Sequence, residues 1–147
     1  MQTPSDQCGM EFTLRARSTT SSARNGTLRL PHATVSTPCF MPVGTQGTVK
    51  GAAVGDLQGM GYGLLLANTY HLHLRPGDAL IARMGGLHRF TGWTGAFLTD
   101  SGGYQVFSLA GLRSVEDDGI RFRSHLDGSS LYFTPETVTE IQHNLGA

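Results

Sequence analysis

The chain has 147 residues, 39% hydrophobic and 15% charged, a balance that suits one folded soluble domain and excludes a disordered tail. Eleven basic residues offset eleven acidic ones, so any nucleic-acid contact must come from a local patch or from sequence outside this chain. The longest apolar runs, at 39–41 and 64–67, fall far short of the about 20 residues that span a bilayer, and a cytoplasmic protein with no membrane contact is expected.

Residues 1–10 are polar and read as a flexible leader before a domain over 11–147. Phe12, Leu14 and Ala16 alternate with polar neighbours, as do Leu28 and Leu30, and Asn25-Gly26 between them predicts the turn of an antiparallel hairpin. Cys39, Phe40, Met41 and Val43 form a nearly continuous apolar run between Pro38 and Gly44 that predicts a strand buried on both faces. Residues 52–60 suggest a short helix weakened by Gly55 and Gly59. A second buried strand is expected at 64–67, running into the polar set Asn68, Thr69, Tyr70 and His71.

Residues 78–84 predict a helix, with Leu80, Ile81 and Met84 on one side and Gly85 after it. Phe97 and Leu98 form a third apolar stub that stops at Thr99, Asp100, Ser101, Gly102 and Gly103. An inserted hairpin is expected from 119–124 and 131–133 around Asp127-Gly128. The last helix is the best marked: Thr134 as N-cap, Pro135 at N1, Glu136 in the first turn, then Val138, Ile141, Gln142 and Leu145 before Gly146.

Strands alternating with helices predict a parallel sheet, and polar residues at strand C-termini are where a (β/α)8 barrel builds its site. Such a barrel takes about 250 residues and eight strands, whereas about three barrel strands are legible here. The expected fold class is therefore α/β: an incomplete (β/α)8 TIM barrel with an N-terminal antiparallel hairpin and an inserted hairpin. An open α/β sheet fits the same pattern. Such a piece leaves an unpaired sheet edge and bare inner faces, which predicts poor solubility or dependence on a partner.

The most informative stretch is LTDSGGYQ at 98–105. A carboxylate at a strand end followed by two glycines can project into a cleft where the bare backbone lets a flat ligand approach. Tyr104 offers a face on which a heterocycle can stack. An Asp that merely caps a turn beside a packed Tyr gives the same pattern. Cys8 and Cys39 lie far apart and in no C-x-x-C pair, so neither a disulfide framework nor a cysteine zinc site is encoded. His71, His73 and His88 lack a completing cysteine or carboxylate and read as packing or hydrogen-bonding histidines, so no metal site is assigned. Asp78 and Asp127 are explained by a helix start and a hairpin turn. Arg121 and Arg123 flank Phe122 and read as a solvated strand face or, less favoured, as a contact for RNA phosphates, and Phe90 and Trp93 read as core or as a subunit contact.

Six collinear segments raise the specificity of the Asp100 site: PCFMPVGT at 38–45, ANTYHLHLRPG at 67–77, GGLHRFTGW at 85–93, LTDSGGYQVFS at 98–108, GIRFRSHLDGS at 119–129 and residues 135–146. Together they resemble the N-terminal portion of the tRNA-guanine transglycosylase (queuine tRNA-ribosyltransferase) family, most closely its bacterial members. The resemblance implies a TIM barrel that exchanges guanine at the tRNA anticodon wobble position for a 7-deazaguanine, preQ1 or queuine, in queuosine biosynthesis. Archaeal relatives act on a D-arm guanine toward archaeosine.

By the same resemblance Asp100 is the catalytic acid/base that binds the exchanging base, and Ser101, Gly102 and Gly103 form its pocket. Tyr104 stacks on the base, Asn68 meets the ribose or the Asp100 carboxylate, and Val43, Thr45 and Leu66 line the site. The aspartate nucleophile and a structural zinc held by three cysteines and a histidine belong to a later part of such proteins, so this segment alone is expected to be inactive and to hold no cofactor. A homodimer is implied for the complete enzyme. The competing reading is a truncated, non-catalytic paralogue that binds tRNA or a subunit; a generic (β/α)8 glycosidase is more distant, for want of a second strand-end carboxylate.

Overall fold

The computed structural model describes residues 9–109 and 113–147. Most of the expected leader, with Cys8, lies outside them. The described chain is mixed α/β, with three separate sheets and short helices between and around them.

The first sheet joins β1 (Glu11–Arg17), β2 (Arg24–Arg29) and β3 (Thr34–Thr37) in antiparallel order. The expected hairpin is present, but its turn is not at Asn25-Gly26. Both residues lie inside β2, where Gly26 pairs with Leu14 on one side and Thr37 on the other. The Phe12 ring occupies the space a Cβ at Gly26 would fill, so this glycine serves cross-strand packing. The turn falls at 18–23, where the Ser18 hydroxyl accepts from the Thr20 and Ser21 amides at 3.1 Å each. Val35 of β3 packs with Leu64 and Ala96.

The parallel centre is smaller than expected. β4 (Leu64–Ala67) and β5 (Ala96–Thr99) pair in register from Leu64↔Ala96 to Ala67↔Thr99. The run at 39–43 is not a strand buried on both faces: Cys39 is exposed, Phe40 is 72% exposed, and only Val43 makes a parallel bridge, to Leu66. Pro38 and Pro42 have no amide to give to a ladder, and pairing begins only with the bonds from Leu66 to Pro42 and from Gly44 to Leu66.

Among the helices, α1 (Val54–Gly59) precedes β4 and buries Leu57. α2 (Thr69–Leu74) follows β4 at once and buries Tyr70 and Leu72. α3 (Asp78–Arg83) matches its expected span to within a residue, and α4 (Gly86–Thr91) starts and stops at the left-handed Gly85 and Gly92. α5 (Gly103–Leu109) leads away from the 98–105 stretch. No helix of the described residues is long and apolar enough to cross a membrane. Trp93 is 2% exposed, with its ring nitrogen donating to the Ala96 carbonyl at 3.0 Å, so it belongs to the core; Phe90 is partly buried against it.

The inserted hairpin is present as β7 (Ile120–Arg123) and β8 (Ser130–Phe133), and β6 (Arg113–Val115) adds a third strand beside β7. Asp127 accepts from the Ser129 amide at 3.1 Å while Gly128 takes φ +74°, the turn chemistry expected there. α6 (Pro135–Leu145) begins at Thr134, which accepts from the Thr137 amide at 3.2 Å, and ends at the left-handed Gly146.

α6 is tied to α3 by a buried polar link. Asn144 donates to Asp78 Oδ2 at 2.7 Å, and His73 Nδ1 lies 2.7 Å from Asp78 Oδ1. Burial pushes the Asp78 carboxyl up, but the bonds from Asn144 and His73 and the His73 charge outweigh it and hold the group below the ordinary carboxylate range. A lowered folded-state pKa gives stability that is present above the unfolded value near 4 and is lost as pH falls through the folded one. Asp78→Asn is therefore expected to lower stability near neutral pH by about 1–3 kcal/mol and to flatten the acid limb of urea unfolding below about pH 4. Identical acid limbs in both proteins would remove Asp78 from this role.

Candidate active site

The ends of the parallel segments meet at one carboxyl group. Asn68 follows β4 and Asp100 follows β5; the Asp100 amide reaches the Ala67 carbonyl at 3.3 Å and the Asn68 amide the Thr45 carbonyl at 3.3 Å. The segments ending at Thr45, Asn68 and Asp100 thus lie side by side, and Val43 pairs directly with Leu66.

Four donors converge on the Asp100 side chain. Oδ1 accepts from the Thr69 amide at 2.9 Å and the Gly102 amide at 3.1 Å. Oδ2 accepts from the side-chain amides of Asn68 at 2.5 Å and Gln105 at 3.1 Å. The Asp100 backbone is held as well: its carbonyl accepts from the Thr69 hydroxyl and, at 3.0 Å, from Gln142 of α6. A carboxylate has about four lone-pair sites, and all are taken. A planar ligand reaching Oδ2 must displace Asn68 or Gln105, both carried on rotatable side chains.

The local backbone dictates this arrangement. Gly102 sits at φ +71°, which turns its amide back onto Asp100, and a Cβ there would lie 3.0 Å from the Tyr70 nitrogen and 3.1 Å from its Cβ. Tyr70 is fully buried beneath that turn, its hydroxyl 2.8 Å from His125 Nδ1 in the β7–β8 loop. The Tyr70 and His125 rings stack at 5.5 Å, so the inserted sheet is docked onto the helix that starts at the site. Burial pushes the Tyr70 phenol above its ordinary pKa.

The structure brings together Val43, Thr45, Leu66, Asn68, Asp100 and the Gly102 amide. It does not join Tyr104 to them: that residue is 77% exposed in the first turn of α5. Ser101 and Gly103 line a cavity of about 570 Å³ with Val106, Ile120, Phe133 and Glu116, separate from the Asp100 side chain. Thr45 lines a cleft of about 270 Å³ with Lys50, His71, Arg75 and His125. Sequence reasoning missed Thr69 and Gln105, each next to an assigned position, and Gln142 and His125, which carry no local signal. Among the described residues no three of His, Cys, Asp and Glu gather as metal ligands, and His73 and Asp78 are engaged with each other.

Comparison with known proteins places the chain in a family. Residues 18–147 match the family model described as queuine tRNA-ribosyltransferase, so the chain belongs to that family. The relative from Oleidesulfovibrio alaskensis, named queuine tRNA-ribosyltransferase, is 58% identical over 137 residues, 93% of this chain and 36% of its own length. Those of the same name from Solidesulfovibrio magneticus and Thermoanaerobacter sp. are 58% and 51% identical, over 86% and 94% of this chain and 34% and 37% of their own. The chain thus spans about a third of the length of these curated relatives.

Two left-handed glycines test the turn. Gly128→Ala, with nothing within 4 Å of the added carbon, is expected to cost about 1 kcal/mol for its backbone alone. Gly102→Ala is expected to cost about 2–4 kcal/mol, because it adds the clash with Tyr70 to the same strain. Urea unfolding of the pair measures the difference; equal losses would mean that the 100–102 turn does not bear on Tyr70.

Proposed function

We propose that this chain supplies the N-terminal part of a bacterial-type tRNA-guanine transglycosylase and that Asp100 is its acid/base and base-binding group. The supporting observation is the Asp100 carboxyl, clamped at the end of β5 beside the end of β4 by Asn68, Thr69, Gly102 and Gln105. The parallel order of the 43–45 segment, β4 and β5 suits the first units of a (β/α)8 barrel, with the three-stranded sheet β6–β8 inserted before α6.

Exchange of a base on tRNA breaks an N-glycosidic bond and develops oxocarbenium-like charge on the ribose. Retention at C1′ takes two displacements: a carboxylate bonds to C1′ as guanine leaves with a proton, and the incoming 7-deazaguanine gives up a proton as it displaces that carboxylate. Asp100 delivers the first proton and accepts the second. The target guanine must leave its stack to reach it, and Val43, Thr45 and Leu66 then face the nucleotide while Ser101, Gly102 and Gly103 bound the base. Tyr104, exposed here, stacks on the base once it is bound. The nucleophilic aspartate, a structural zinc and a homodimer contact belong to the same reading; no step above runs through a metal. Wobble-guanine exchange toward queuosine, with preQ1 or queuine as incoming base, is favoured over D-arm chemistry by the names of the relatives.

Labelled-guanine incorporation into tRNA tests this. The 147-residue chain is expected to give neither exchange nor a trapped covalent adduct. In the complete enzyme carrying this sequence, Asp100→Asn is expected to lower exchange by about 100-fold or more while circular dichroism stays unchanged. Normal turnover by that variant would take Asp100 out of the reaction. Tight tRNA binding without any exchange by the complete protein would favour the non-catalytic paralogue.

A further inference from the structure

Asp100 is held at its main chain as well as at its carboxyl group, and a bound base acts on the two sets of bonds differently. A base reaching Oδ2 displaces Asn68 or Gln105. The main-chain bonds are not in that competition: the Asp100 amide donates to the Ala67 carbonyl at 3.3 Å, and the Asp100 carbonyl accepts from the Thr69 hydroxyl and, at 3.0 Å, from the side-chain amide of Gln142. A carbonyl oxygen has two lone pairs, so donors from α2 and α6 saturate this one.

The two donors are not equivalent. Thr69 also gives its amide to Oδ1, so it bonds both to the carboxyl group and to the main chain behind it. Gln142 bonds to main-chain carbonyls alone, that of Asp100 and, at 3.5 Å, that of Thr99. It stands on a helix capped at both ends, by Thr134 and Gly146, and follows the buried Ile141 three residues before the buried Leu145. Neighbouring polar side chains of α6 bond elsewhere, Thr139 to the Pro135 carbonyl and Asn144 to Asp78 of α3. Among the described residues of α6, only Gln142 hydrogen-bonds to the end of β5.

We propose that Gln142 is a positioning residue for the exchange: from α6 it fixes the Asp100 main chain, and with it the pivot about which the carboxyl group turns from its resting donors to the bound base. The inference rests on the reading of Asp100 as the acid/base. Proton transfer needs the two heavy atoms within about 2.6–3.2 Å, and a displacement of about 1 Å can cost about 100-fold in rate. Once a base has displaced Asn68 or Gln105, fewer bonds hold the carboxyl group, and its alignment depends more on the main chain. Gln142 touches no reacting atom and acts through Asp100.

The test is the single-turnover rate of guanine release from tRNA by the complete enzyme carrying this sequence, a rate constant that does not depend on the fraction of enzyme folded. Gln142→Leu keeps the side chain's bulk and removes the donor; it is expected to slow this step about 10- to 100-fold with KM for tRNA within about twofold of the parent. Gln142→Glu restores a donor only while its carboxyl is protonated, and the ionised form repels the Asp100 carbonyl. Its rate relative to the parent is therefore expected to fall as pH rises through the new carboxyl's pKa, which partial burial places above the ordinary value near 4.3. The Gln142→Leu ratio stays flat with pH. Asn144→Leu cuts the tie from the same helix to Asp78 and is expected to lower the urea midpoint while leaving the single-turnover rate within about twofold.

A parent-like rate in Gln142→Leu, a pH-independent ratio in Gln142→Glu, or equal slowing by Asn144→Leu overturns the positioning role. If Asp100→Asn is inactive while Gln142→Leu is normal, the acid/base reading stands and only the role of Gln142 falls. If Asp100→Asn turns over normally, or the complete parent exchanges no base, the reading itself fails and the role of Gln142 falls with it.

Discussion

The site depends on the saturation of one carboxyl group. Each oxygen of Asp100 takes two hydrogen bonds, and the donors come from the end of β4, the start of α2, the turn after β5 and the first helix beyond it. Hydrogen bonds shielded from water contribute about 1 kcal/mol each. More important here is that they are convergent: displacing any one of these elements strains bonds made by the other three. Gln142 extends the same clamp to α6, which Asp78 and Asn144 fasten to α3. α2, α5 and α6 are therefore tied by polar links that end at the same residue, and α3 is tied to α6.

That arrangement explains which parts of the fold were legible from sequence. β4 and β5 are short apolar runs bounded by glycine and polar residues, and α6 carries a full set of start and stop signals; these elements state themselves locally. α4 and α5 do not, because both begin in glycine-rich sequence of low helix propensity and are held by packing of Leu87 and Val106 instead. α2 reads as alternating polar and apolar residues, Thr-Tyr-His-Leu-His-Leu, a strand-like period that yields to the burial of Tyr70 and Leu72 within one turn of helix. At Asn25-Gly26 a strong turn signal lost to a ring: Phe12 needs a neighbour without a side chain across the ladder.

The site divides in the same way. Asp100 and Asn68 stood out because strand ends in a parallel fold point at ligands, and the hydrogen bond between them follows from β4 and β5 being neighbours. Gln105 is less visible, since its distance to the carboxylate depends on a helix that sequence did not announce. Gln142 and His125 are invisible, being 42 residues from Asp100 and 55 from Tyr70 along the chain. The family resemblance pointed to Asp100; the residues that hold its side chain are visible only in the fold.

A chain without net charge can still have its charges sorted by place. Here Glu116, Asp117 and Asp118 crowd one wall of the larger cavity, while Lys50, Arg75 and two histidines share a cleft free of carboxylates. The larger cavity takes in Ser101 and Gly103, and the inserted sheet contributes to both, through Ile120 and Phe133 in the larger and His125 in the smaller. The insertion is thus more than an ornament on the alternating α/β pattern. Its β7–β8 loop is docked by Tyr70, the residue against which Gly102 turns, so one buried phenol links the backbone that aims Asp100 to the wall of the basic cleft. The backbone at Gly102 and the wall of the cleft are thus separated by one packed ring and one 2.8 Å contact.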